Sequence, residues 1–167
     1  MPITMEAPPK AEIPMSKMEQ LAQKLQQSAH AEQARAAAVE KQYQDWIQSL
    51  HVLFDTLELW LQPLVQAQVA TLRRDTATIT EHPSSGEVRT YQAPVLALSV
   101  NGKAASIKPL ALFCFGCQGR VDILARENQW HLTRQLEPGE VWYLHTHNRD
   151  QGRVLDADVL ASVFAAY

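Results

Sequence analysis

The chain has 167 residues, 46% of them hydrophobic and 20% charged, the proportions of a soluble globular protein with room for one domain and an appendage. Net charge is −3, divided as −3 over residues 1–69 (five Lys/Arg, eight Asp/Glu) and zero over 70–167 (ten and ten). Neither part carries the basic field that recruits nucleic acid or acidic lipid, so nucleic acid and membrane are not expected partners.

The first fifteen residues, "MPITMEAPPKAEIPM", are interrupted by four prolines and contain no apolar core of a signal peptide. They are expected to form a disordered, Pro-rich tail. With two cysteines and no export signal, a cytoplasmic location is expected and no disulfide framework is implied.

Residues 16–68 read as one long helical region. "SKME" places Ser16 as N-cap and Glu19 at the third helical position, a capping box. Glycine and proline are then missing until Pro63, which is expected to kink or break the helix. Tyr43, Trp46, Leu50, Leu53, Leu57, Trp60 and Leu64 recur at steps of three and four, and Ile47, Phe54 and Leu61 widen the stripe. So broad a face belongs against a core. Upstream, Met18, Leu21 and Leu25 are the large apolar side chains before a run of alanines, which sustain a helix but bury little.

Length decides what this half can do. About 46 helical residues at ~1.5 Å each span roughly 70 Å, against a radius of gyration near 13 Å for a 100-residue domain. The helix must break near residues 28–40 and fold back, or its N-terminal half must meet another chain.

From residue 69 to 167 the pattern has a period of two. Strands are predicted at 69–80, 87–91, 95–100, 103–113, 120–126, 129–135 and 140–147, joined by turn-like connections. Asn101-Gly102 signals a type I′ hairpin that sets Leu98 opposite Ala105 and Leu96 opposite Ile107. Short loops require an antiparallel meander of six or seven strands. "LDADVLASVFAAY" predicts a final short helix capped by Asp156. The fold class is therefore α+β.

The chemistry-bearing residues are few. Cys114 and Cys117 in "LFCFGCQGRVD" have the spacing of half a zinc site, and His145 and His147 of "HTH" could supply the rest. In the predicted meander, however, the cysteines and histidines fall at opposite strand ends, about 20 Å or more apart. A redox role lacks a helix N-terminus pointing at Cys114, with only Arg120 close in sequence. The plainer reading makes Cys114 a small apolar strand residue beside a glycine-permitted turn. Arg126, Trp130, His131, Arg134, Trp142 and Tyr143 combine aromatic and cationic groups as a stacking platform for single-stranded nucleic acid does, but Trp130 and Arg134 are read on one face and Trp142 in another alternating set, so some of these rings are expected to serve the core. Arg120 and Asp122 share a strand face and either pair in solvent or border an interaction surface. Nucleotide-binding and acyl-transfer motifs are not found.

The sequence thus points to a non-enzymatic, cofactor-free protein-interaction module, a homodimer or other homo-oligomer with coiled-coil character, or an adaptor for a protein partner. Met18, Leu21 and Leu25 would form one contact surface, and Arg120, Asp122, Trp130, Arg134 and Trp142 a second. The alternatives are a metal- or thiol-dependent protein using Cys114, Cys117, His145 and His147 between subunits, and the nucleic-acid-binding sheet.

Overall fold

A computed structural model describes residues 16–83, 87–146, 151–165 and 167. Helix α1 (Lys17–Gln66) precedes strands β1 (Ala70–Glu81), β2 (Arg89–Val100), β3 (Lys103–Ala111), β4 (Arg120–Ala125), β5 (Asn128–Gln135), β6 (Val141–His145) and β7 (Arg153–Val154), and helix α2 (Ala157–Phe164) closes the chain. The strands form one sheet in the order β1 to β7, antiparallel throughout. This is the predicted α+β meander. The tail expected at 1–15 lies outside the described residues.

Ser16 starts α1 as predicted, its hydroxyl accepting the Glu19 N–H at 3.1 Å. The helix then runs unbroken through residues 28–40 and through Pro63, ending one turn later. A glycine-free Schellman motif terminates it: Gln68 adopts φ 62°, and Val69 N–H donates to the Leu64 carbonyl at 3.1 Å. Within α1, after Lys41, the chain divides into two units. Residues 16–38 are exposed. In the second unit Tyr43, Trp46, Leu50, Leu53, Phe54, Leu57 and Leu61 are buried, which is the predicted stripe.

The hairpin register is as read from Asn101-Gly102, with Leu98 opposite Ala105 and Leu96 opposite Ile107. Those residues, with Val121, Ile123, Leu132 and Leu144, make the buried side of the sheet. Two predicted strands, 87–91 and 95–100, are one strand, β2. Pro94, within the predicted gap, sits beyond the last β2–β3 pair, on the kind of free edge where sheets tolerate proline.

That free ribbon also changes face. In β1 the buried positions pass from Ala70 to Ile79 and Glu81, and in β2 from Leu96 to Ala93 and Tyr91, a switch of parity in both strands. The switch surrounds the pair Thr76–Pro94. Two-stranded ribbons twist more strongly than wider sheets, and here the twist turns the opposite side chains toward the N-terminal part of the core. β6 ends at His145 rather than 147, and β7 was not predicted.

Candidate functional site

The β3–β4 connection, residues 112–119, was expected to be a tight turn at the end of a strand reaching Phe113. It is a longer excursion with its own supports. Glu81, buried at the end of β1, accepts the N–H groups of Leu112 (3.0 Å) and Phe113 (3.2 Å) and the Tyr91 hydroxyl (2.6 Å). Tyr91 in turn accepts the Trp46 indole N–H at 2.9 Å. On the far side, Gln118 N–H donates to the Arg134 carbonyl and Arg134 N–H to the Gly119 carbonyl, both at 2.9 Å. Gln135 Nε2 donates to the Gly116 carbonyl at 3.0 Å. The loop is therefore pinned to the sheet at both ends.

Cys114 and Cys117 are joined as a disulfide, with Cα atoms 5.5 Å apart. This corrects the reading of Cys114 as an inert strand thiol. Both cysteines are partly exposed, the Phe115 side chain between them is fully exposed, and Gly119 N–H donates to Cys114 Sγ at 3.3 Å. Gly119 itself is buried against Trp46: a Cβ there would lie 2.2 Å from Trp46 Cζ3.

The loop forms one wall of a cleft of about 500 Å³, whose other wall is the outer face of β4–β6, with Arg120, His131, Thr133, Gln135 and His145. His131 and His145 are cross-strand partners with rings stacked 4.8 Å apart and 6° from parallel. Thr133 Oγ1 lies 2.7 Å from His145 Nε2. Arg120 Nε donates to Asp122 Oδ1 at 2.8 Å, so its charge is locally compensated. The predicted separation of cysteines from His145 by 20 Å does not occur. β6 is short, His145 stands opposite His131 near the loop, and the loop borders that same outer face. His147 lies outside the described residues. Among the described residues no group of three or more His, Cys, Asp or Glu side chains could hold a metal ion.

Thr133, Gln135 and Glu81 were missed, and His131 was read only as part of the aromatic–arginine platform. His131 had a usable signal: pairing β5 with β6 across the "LEPGE" turn places it beside His145. Glu81 had none, being 31 residues from the amides it binds.

The second predicted surface is rearranged. Arg134 and Trp142 are cross-strand partners on one face, not on two, and that face is the core. Arg134 is buried, stacked 4.9 Å over the Trp46 ring, and donates to the Gln118 carbonyl at 2.7 Å; burial pulls its pKa down, with Glu140 opposing. Trp142 lies 5.9 Å from Trp46. Trp130 is half-buried on the same side as Leu132 and Arg134. These three serve packing, and of that predicted surface only Arg120, paired with Asp122, lines the cleft. Met18, Leu21 and Leu25, by contrast, are 73%, 47% and 60% exposed.

No family model matches this chain, and no curated protein or solved structure matches it either. No described helix is long and apolar enough to cross a membrane.

Proposed function

We propose that the protein is a non-enzymatic interaction module that self-associates through the N-terminal half of α1. The observation carrying this reading is the exposure of Met18, Leu21 and Leu25 on a helix that continues unbroken into a buried stripe. The sequence phase supports it. Met18, Ala22, Leu25, Ala29, Glu32, Ala36 and Val39 follow alternating steps of four and three, and Tyr43, Trp46 and Leu50 continue them. Such a spacing makes the narrow seam of a coiled coil, with alanines permitting close approach, Glu32 as its one charged position and Leu21 on its flank beside Ala22.

Charge favours a second copy over a strongly charged partner. Lys17, Glu19, Lys24, Glu32, Arg35, Glu40 and Lys41 alternate in sign along the segment, so two copies meet without a block of like charge. Most helical stability in proteins comes from packing an apolar face, and association gives residues 16–38 the packing they lack.

Light scattering on the full chain tests the idea. The expected result is a dimer or higher oligomer that Leu21→Glu with Leu25→Glu converts to monomer without lowering the unfolding midpoint of the 42–167 unit. A wild-type monomer at high concentration would refute it.

A further inference from the structure

We propose that Cys114–Cys117 is a thiol–disulfide exchange centre that accepts two electrons from an external dithiol. Its position argues against a staple. A disulfide stabilises most when it closes a long loop, and this one joins residues three apart in sequence. The loop is also held independently by Glu81, Gln118, Arg134 and Gln135. Opening the bond leaves those supports in place.

The surroundings suit exchange instead. Both cysteines are partly exposed and line the cleft, with Phe115 wholly in solvent at the loop tip and offering an apolar contact to an incoming thiol-bearing molecule. Gly119 N–H already points at Cys114 Sγ, and a hydrogen bond to sulfur is stronger when the sulfur carries negative charge. The stacked His131 and His145 rings line the same cleft. No helix N-terminus is needed: one backbone donor and this polar wall take its place.

These features make Cys114 the leaving group. The dithiol's first thiolate attacks Cys117 Sγ, forming a mixed disulfide, while the electron pair of the Cys114–Cys117 bond goes to Cys114 Sγ. The dithiol's second thiolate then attacks its own sulfur in the mixed disulfide and expels Cys117 as thiolate. The dithiol leaves as a disulfide, two electrons have moved to the protein, and two protons complete its thiols.

The test uses the full chain and dithiothreitol as the dithiol. The bond should open under native conditions, counted by maleimide mass shift, with the circular dichroism spectrum and thermal midpoint unchanged. Opening only in denaturant, or a fall in the midpoint on reduction, would overturn the proposal in favour of a staple. At neutral pH, iodoacetamide should alkylate Cys114 in Cys117→Ser about tenfold faster than Cys117 in Cys114→Ser, reflecting the favoured thiolate. If either variant fails to fold, mapping the first alkylated site in the reduced wild type gives the same comparison. Equal rates would refute the assignment of Cys114.

Discussion

At position 119 a methyl group has nowhere to go. Gly119 has φ +136° and its missing Cβ would overlap the six-membered ring of Trp46, which is itself fully buried. Gly102 also has positive φ, +74°, but open space surrounds it. The two therefore separate backbone strain from steric conflict. Gly102→Ala should cost about 1–2 kcal/mol, the left-handed penalty alone. Gly119→Ala adds overpacking and should cost about 3 kcal/mol or more, read by urea unfolding. Two tyrosines allow a similar contrast. Tyr91 gives its proton to Glu81 and accepts from Trp46, so Tyr91→Phe should cost about 2 kcal/mol at neutral pH. The Tyr43 hydroxyl is buried with no hydrogen-bond partner among the described residues, so Tyr43→Phe should be neutral or stabilising. Burial, then the bond to Glu81, raises the Tyr91 pKa above its ordinary 10.0; burial also raises that of Tyr43. The folded state thus keeps these protons where the unfolded chain releases them. Their contribution is whole below about pH 10 and is lost as pH rises further, and Tyr91→Phe should flatten that alkaline decline.

At the scale of elements, α1 holds two regimes in one unbroken helix. From Tyr43 to Leu61 its stripe is buried, whereas residues 16–38 are exposed. Amide exchange should separate them. Protection over residues 43–61 should not depend on protein concentration, while protection over 20–38 should rise with it and vanish in the Leu21→Glu, Leu25→Glu variant. Concentration-independent protection of the first half would contradict self-association. The sheet elements show what a sequence discloses. Alternation, short turns and Asn101-Gly102 fixed the meander and even the Leu96–Ile107 pair, because those signals are local. The break predicted between 91 and 95 does not occur, and Pro94 is tolerated inside β2 because proline forbids a ladder bond only where a neighbouring strand asks for one. The two-residue β7 was too short to show a period at all.

The whole molecule explains why the candidate site was only half legible. The C-x-x-C spacing was visible, but the path of its loop depends on Glu81 and on the backbone of Arg134, contacts between positions remote in sequence. Arg134 and Trp142 were misplaced for a related reason: alternation assigns faces within a strand, and only register says which faces of two strands coincide. The same cross-connections have a spectroscopic corollary. Through Glu81 and Tyr91, the amides leading into Cys114 are joined by three successive hydrogen bonds to the indole of Trp46. Trp46 is thus an intrinsic fluorophore wired to the sulfur loop, and with the other three tryptophans replaced by phenylalanine its emission should report a change there without any added label.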